Sequence, residues 1–279
     1  MLEQVDIMSE SGSYLPLPLG DTSSGIIVKS IQGLEPVTAT LSSSNYALRD
    51  GEYFHASRRG SRNILIGLVL DPRYGGGSVR ALRQNLYSTL SPEMKVDMTF
   101  SMAGEPPVVI SGVVESLDTS MFTKTPVAVA SIVCHEPDFM DPVEIMDSGE
   151  GYPGETISWR PVEYDGSVPT GFRLELSLNA TGTGDGFVVY VSNPNGDVRS
   201  LEFRADLQGG DHVHISTVPG DKYAKLIRNG SESSILYGVS PQAQWGYFMP
   251  GSNEFAVKVT GDTQQSYYEF FYNKRYGGL

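Results

Sequence analysis

The stretch DHVHISTVPGDKYAKLIRNG, residues 211–230, reads as a strand, a turn and a second strand. Successive side chains of a strand point to opposite faces, so Val213 and Ile215 share an apolar face and the two histidines share the other. The PGDK sequence is typical of a turn, because proline presets φ and glycine accepts a positive φ. The run YAKLIRNG forms the return strand and ends in the hairpin signal Asn229-Gly230. This stretch therefore predicts β-scaffold.

The rest of the chain has the same pattern of short apolar runs separated by turn residues. Glycine (31 residues) and proline (17) interrupt short apolar runs throughout the 279 residues. Examples are NILIGLVLD at residues 63–71 and GFVVYVSN at residues 186–193. Short strands separated by turn signals at spacings of roughly 8 to 12 residues are typical of sandwiches and barrels. The sequence predicts a mainly β protein.

One segment, GGGSVRALRQNLYSTLSPE at residues 75–93, has the period of an amphipathic helix. Its apolar residues recur at intervals of three and four: Val79, Leu82, Leu86 and Leu90. Ser78 is a good N-cap and Pro92 a stop signal, which predicts one α-helix over about residues 78–91.

The stretch from residue 134 to residue 161 is rich in proline, glycine and acidic residues and has no sustained period, as expected of a crossing between domains. We place the boundary near Ile145, giving an N-terminal domain of residues 1–145 and a C-terminal domain of residues 146–279. The residues before Ile145 include 10 basic and 17 acidic side chains, and the rest of the chain 10 and 16. Neither half is a basic nucleic-acid module.

The net charge of −13 argues against sequence-independent binding of nucleic acid, which needs a basic footprint. No run approaches the roughly 20 apolar residues that span a bilayer, and the N-terminus lacks a signal-peptide pattern, so we expect synthesis in the cytoplasm and no membrane insertion. The single cysteine, Cys134, excludes an internal disulfide framework and lies in a β-branched run, where we expect a strand residue rather than a nucleophile.

His212 and His214, beside Asp211, raise the question of a metal site, because residues two apart in a strand share a face. A metal site needs a third and usually a fourth ligand, and the other histidines, His55 and His135, lie in the other predicted domain. We therefore expect no metal and no cofactor.

Catalytic templates fit no better. The GTGDG sequence at residues 182–186 lacks the lysine, hydroxyl residue and helix of a phosphate loop, so we expect a turn. Asp138, Asp141 and Glu144 fit a solvated acidic linker, although a glycosidase pair drawn from distant loops stays open as a weaker class of function. We expect no enzyme and assign no catalytic residue.

Two groups of residues are candidates for binding. The only basic cluster, Arg58, Arg59 and Arg62, is predicted to form ion pairs with a neighbouring subunit. Trp245 and Tyr247 either form a platform on which a sugar stacks or plug the end of a sandwich.

Taken in order, four stretches of the sequence resemble the distal tail proteins of bacteriophages with long non-contractile tails. The stretches are GIIVKSIQGLEPVTAT (25–40); RRGSRNILIGLVLDP (58–72) followed by VRALRQNLYSTLSPEMKVDMTF (79–100); VAVASIVCHEPDFMDP (127–142); and the run from GGDHVHIS to NEFAVKV (209–259). Their order along nearly the whole chain carries the resemblance.

The resemblance implies an N-terminal split β-barrel, or belt domain, with one helix, followed by a sandwich like those of galectins and carbohydrate-binding modules. It implies a structural virion protein whose belt domains form a homo-hexameric ring at the tail tip, leaving a channel for DNA. The implied partners are other copies of itself, the tail tube protein, and fibre, receptor-binding or tail-tip proteins. The alternative function is a carbohydrate-binding adhesin that uses Trp245 and Tyr247.

Overall fold

The computed structural model describes residues 1–74, 77–120, 126–152, 157–261 and 265–279. The chain folds as two compact units, unit 1 (Met1–Pro142 with Tyr276–Leu279) and unit 2 (Val143–Arg275). The boundary between the units falls three residues before Ile145. The sequence division placed the last four residues in the second domain, whereas Tyr276–Leu279 belong to unit 1.

The described residues of unit 1 form ten strands and one helix that packs one face against the core. Its elements are β1 (Leu2–Ser9), β2 (Tyr14–Pro18), β3 (Ile26–Gln32), β4 (Ala39–Asn45), β5 (Glu52–Arg59), β6 (Arg62–Leu70), α1 (Val79–Thr89), β7 (Lys95–Met102), β8 (Val108–Thr119), β9 (Val127–Cys134) and β10 (Phe139–Met140).

The main sheet of unit 1 has the strand order β2-β1-β7-β8-β9-β6-β3, with β10 paired to β8. Its end strands β2 and β3 also contact each other, so the sheet curls into a half-barrel, as predicted. Alternation builds its core: in β6, Ile64, Ile66 and Leu68 all lie on the buried face.

Helix α1 lies where the periodicity predicts it. The Ser78 side chain accepts a hydrogen bond from the Ala81 N–H (3.2 Å), the N-cap geometry expected of serine. Leu82 and Leu86 are buried in the core, and the helix ends at Thr89, two residues before the predicted end. None of the helices in the described residues has the length and apolar character that crossing a membrane requires.

Unit 2 is a β-sandwich. Its elements are β11 (Ile145–Gly151), β12 (Arg160–Tyr164), β13 (Arg173–Ser177), β14 (Thr183–Ser192), β15 (Val198–Gln208), β16 (His212–Ser216), β17 (Tyr223–Arg228), β18 (Ser231–Ser234), a 3₁₀ turn (Leu236–Gly238), β19 (Gly251–Thr260) and β20 (Ser266–Tyr272). The last strand of the chain, β21 (Arg275–Tyr276), completes the sheet of unit 1.

One sheet of the sandwich has the order β11-β20-β13-β16-β17-β18 and the other β12-β19-β14-β15. Aromatic rings from both sheets fill the space between them: the ring centroids of Phe255 and Phe270 are 4.4 Å apart. Phe172 packs against both Phe248 and Phe255 and so enlarges this aromatic cluster. Burial of these large rings stabilises the unit.

The stretch at residues 211–230 is β-scaffold, as predicted. Strands β16 and β17 pair antiparallel, with Val213 and Ile215 buried. The turn between them is closed by a hydrogen bond from the Asp221 N–H to the Val218 oxygen (3.0 Å). Asn229 and Gly230 both have positive φ, 50° and 76°, and join β17 to β18 as a tight hairpin.

Candidate functional site

Strands β4 and β5 form a separate two-stranded hairpin, here called the hairpin arm (residues 39–59). The pairing runs from Ala39 opposite Arg59 to Asn45 opposite Glu52, and these strands pair with no others in the described chain. Every residue of both strands is exposed. Seven extended residues reach about 23 Å, so the arm offers two long, uncovered faces.

Several large apolar side chains of the hairpin arm are exposed to solvent. Leu41 is 65% exposed, Tyr53 55%, Phe54 57% and Leu48 fully exposed. An isolated two-stranded hairpin is at best marginally stable in water, and contiguous exposed apolar surface is a mark of interaction sites. The arm thus has the character of a surface that a partner covers.

Side chains of the arm also order one another. His55 Nε2 lies 2.8 Å from the Ser44 hydroxyl across the two strands, and the Tyr53 ring packs edge-on against the His55 ring at 5.1 Å. The His55–Ser44 contact joins the two strands, and the Tyr53–His55 contact lies along β5, so the arm has side-chain contacts of its own.

The predicted basic cluster separates into three environments. Arg58 is exposed, and its side chain makes no hydrogen bond or ion pair within the described residues. Arg59 forms a bidentate ion pair with the nearly buried carboxylate of Asp138. Arg58 alone keeps its charge available, and its role at a subunit interface stays a prediction.

Arg62 corrects that prediction, because its side chain is buried and only 1% exposed. Its guanidinium donates to the backbone oxygens of Pro137 (2.7 Å), Gly33 (2.6 Å), Glu35 (2.7 Å) and Gly277 (2.6 Å). It also lies 4.5 Å from the centroid of the Phe139 ring. Arg62 therefore holds several segments of unit 1 together, and its buried guanidinium is not exposed for an ion pair with a neighbouring subunit.

Cys134 is fully buried on β9. Burial raises the pKa of its thiol to about 11, so the reactive thiolate is scarce at neutral pH. This environment agrees with the prediction of a packed strand residue.

The histidines of β16 lie on its wetter face, His212 exposed and His214 half-buried. His212 Nδ1 is 2.9 Å from the Ser177 hydroxyl of the neighbouring strand. No group of three or more His, Cys, Asp or Glu side chains in the described residues is placed to hold a metal.

Asp211 is buried and acts structurally. It accepts hydrogen bonds from Arg228 Nε (2.9 Å) and from the Gln208 N–H (2.8 Å). Burial opposes its ionisation, but these hydrogen bonds outweigh burial and hold the pKa of Asp211 below its usual value. Its carboxylate closes the turn before β16.

We expect the double substitution His212→Ala and His214→Ala to change the free energy of unfolding of unit 2 by no more than about 0.5 kcal/mol, as is usual for surface positions. Both tryptophans, Trp159 and Trp245, lie in unit 2, so their fluorescence during urea unfolding measures this directly. A thermal midpoint of the unaltered chain that rises with zinc and falls with a chelator would contradict this reading of the histidines.

Trp245 and Tyr247, the predicted sugar platform, each have a cation over the ring. Lys222 Nζ lies 5.2 Å from the Trp245 centroid, and the Arg199 guanidinium carbon lies 4.3 Å from the Tyr247 centroid. Trp245 also packs against the sandwich core. These contacts favour the packing role over the platform, which has no further support in the structure.

The acidic residues assigned to the predicted linker all interact with other groups. Asp138 pairs with Arg59, and Glu144 accepts hydrogen bonds from Arg173 Nη2 (2.6 and 2.5 Å). Asp141 also makes an interaction. The carboxylates of Asp138 and Glu144 are thus held by arginines of their own units.

The sequence analysis missed two features. It did not identify the hairpin arm as a unit, although Tyr53 and Phe54 in EYFHASRR stand between a glycine turn and the basic cluster. It also missed an aromatic cluster in unit 2, formed by Tyr152, Trp159 and Tyr267, because Tyr267 is distant in sequence from the other two.

Among solved structures, the Dit protein of phage SPP1, described as a paradigm of the hub adsorption apparatus of phages infecting Gram-positive bacteria, has the same fold. The two chains are 16% identical, with a TM-score of 0.65 and a match that covers 96% of this chain and 98% of Dit. The activated baseplate of phage P2 with Ca matches at 10% identity over 100% of both chains, but its TM-score of 0.45 is too low to add to the argument. No protein-family model and no curated protein matches the sequence. The likeness to Dit confirms, at the level of the fold, the resemblance found in the sequence: over nearly its whole length this chain has the architecture of a phage distal tail protein.

Proposed function

We propose that this chain is a structural protein of a bacteriophage tail tip, where six copies form a ring that joins the tail tube to the host-adsorption apparatus. The observation that carries the proposal is the match to the fold of Dit over 96% of the chain, together with the order of the sequence stretches. The protein is made in the host cytoplasm, acts in the virion and catalyses no reaction.

Unit 1 supplies the ring interface. A closed ring needs a heterologous contact, in which one surface of a subunit meets a different surface of the next. The hairpin arm is the first of these surfaces, since its exposed apolar residues and the uncommitted charge of Arg58 lie together. Its occupant is a second copy of the chain, whose residues before Ile145 carry a net charge of −7 that complements Arg58.

The charge of the chain suits a conduit for DNA. With a net charge of −13, the protein repels a polyanion, so DNA that passes through the ring does not adhere to its wall. The remaining partners are the tail tube protein and the fibre, receptor-binding or tail-tip proteins.

The test is the mass of the purified chain in solution, measured by sedimentation velocity and native mass spectrometry. We expect a species of six times the chain mass of 30.3 kDa. The ring is contradicted if the chain stays monomeric at every protein concentration measured.

We expect Arg58→Glu to weaken assembly while leaving the subunit folded. Reversing a charge at an interface costs about 1.5 kcal/mol or more per junction, which is about tenfold in affinity, and the loss recurs at every junction of a ring. The matched control is Arg80→Glu, which reverses an exposed arginine of α1 that is likewise unpaired in the described residues. Equal assembly of both variants, by sedimentation velocity, would remove Arg58 from the interface.

A further inference from the structure

Unit 2 contains a depression of about 380 Å³ between the ends of β11, β12 and β20. Three exposed aromatic residues line it: Tyr152, Trp159 and Tyr267 are 41%, 37% and 46% exposed. Its volume falls in the range of small-molecule sites, which are lined mostly by aromatic and apolar groups with a few polar ones. We call it the aromatic depression.

Contacts with neighbouring side chains hold the three exposed rings of the aromatic depression in place. The Tyr152 hydroxyl donates to Glu150 (2.8 Å), and the Tyr267 hydroxyl donates to Glu269 (3.2 Å). Trp159 packs against the Tyr190 ring at 6.0 Å with an interplanar angle of 61°. Rings fixed in this way lose little conformational freedom when a ligand stacks on them.

The wall of the depression holds a hydroxyl that has no partner among the described residues. Tyr268 is 1% exposed, yet its hydroxyl makes no hydrogen bond to any of them. Gly149 makes room for it, since a β-carbon there would collide with that hydroxyl. Burial raises the pKa of Tyr268 to about 12, so the hydroxyl stays protonated and able to donate. The Tyr268 oxygen is not among the fully buried unpartnered polar atoms of the described residues, so a ligand in the depression can reach it.

We propose that the aromatic depression is a carbohydrate-binding site that takes a neutral pyranose, stacked on the exposed rings and hydrogen-bonded by the Tyr268 hydroxyl. A sugar presents an apolar C–H face and hydroxyl groups at its edge, and the depression offers complementary groups for both. The site is built within unit 2 and does not depend on ring assembly.

The charges around the depression favour a neutral sugar over an anionic one. Arg160 is the only cation in its described lining, and its guanidinium is bound to the Asp147 carboxylate (Nε to Oδ1, 2.8 Å). Glu150 adds a carboxylate with no cation beside it in the described lining. An anionic sugar would therefore meet a surplus of negative charge.

The experiment uses the full chain with Trp245→Phe, so that Trp159 is the only tryptophan and reports from the depression. Its fluorescence is titrated with glucose, galactose, N-acetylglucosamine, maltotetraose and chitotetraose, with glucuronic acid as the charged comparison. We expect a saturable change with at least one neutral sugar at a dissociation constant of about 1 mM or less for a tetrasaccharide, and at least about tenfold weaker binding of glucuronic acid.

Substitutions locate the binding. Tyr267→Ala and Tyr152→Ala should weaken it about tenfold or more, and Tyr237→Ala, which removes an 85% exposed tyrosine elsewhere in unit 2, should not. Tyr268→Phe removes only the hydroxyl, so it should weaken binding at least about threefold without lowering the thermal midpoint. No saturable change with any of the neutral sugars up to about 100 mM, or a change that Tyr267→Ala and Tyr268→Phe leave intact, overturns the proposal.

Discussion

Arg62→Met is expected to lower the free energy of unfolding of unit 1 by about 3–4 kcal/mol, because it removes a buried guanidinium that donates one buried and three partly buried hydrogen bonds to backbone oxygens. Each unsatisfied buried carbonyl costs about 1–3 kcal/mol, and water that enters the space recovers part of the loss. Methionine keeps most of the aliphatic volume, so packing contributes little to the effect. The segments that lose their tie include the end of the chain at Gly277.

The matched control is Arg58→Met, four residues earlier. Arg58 is exposed and unpaired among the described residues, so its loss should change the free energy of unfolding by no more than about 0.5 kcal/mol. Unfolding is followed by calorimetry, with tryptophan fluorescence as the reference for unit 2, which contains both tryptophans. Equal stability of the two variants would show that Arg62 does not hold unit 1 together.

Removal of the hairpin arm is expected to convert the ring to a folded monomer. Ala39 lies opposite Arg59, so an Asn-Gly turn in place of residues 40–58 closes the gap and keeps the ion pair of Arg59 with Asp138. No residue of the arm belongs to the core of unit 1, and the thermal midpoint should change by no more than a few degrees. We expect assembly to be lost because, in the proposed ring, the exposed apolar residues form the surface that the next subunit covers.

A double substitution separates the side chains of the arm from its backbone. Tyr53→Asp with Phe54→Asp should also give monomers, whereas Tyr237→Asp, at a more exposed tyrosine of unit 2, should assemble normally. Sedimentation velocity and circular dichroism report assembly and folding for each variant. A ring that persists without the arm would place the subunit interface elsewhere on unit 1.

Local pattern determined the kind of the elements that the sequence predicted. The alternation of Val213 and Ile215, and the positive-φ pair Asn229 and Gly230, specify a strand and a tight hairpin because they act through backbone geometry within a few residues. The same holds for α1, whose cap at Ser78 and apolar period are both local. For this reason the fold class could be read from the sequence.

Alternation also contains information about Arg62 that the sequence analysis did not use. Arg62 is two residues before Ile64, and both lie on the buried face of β6. The pattern places this arginine inward, but only the tertiary structure brings Gly33, Pro137 and Gly277 to its donors, since these residues are separated by up to 215 positions from it.

The sequence by itself determined that the chain is mainly β, where its helix lies, and that neither a metal nor a basic nucleic-acid site is expected. Only the tertiary structure decided that Arg58, Arg59 and Arg62 have different environments, that the hairpin arm is uncovered, and that distant aromatic residues meet around Tyr268. The physical reason is the distance along the chain over which each effect acts. Backbone preference and side-chain period act over a few residues, whereas burial, ion pairing and the meeting of side chains depend on which strands become neighbours.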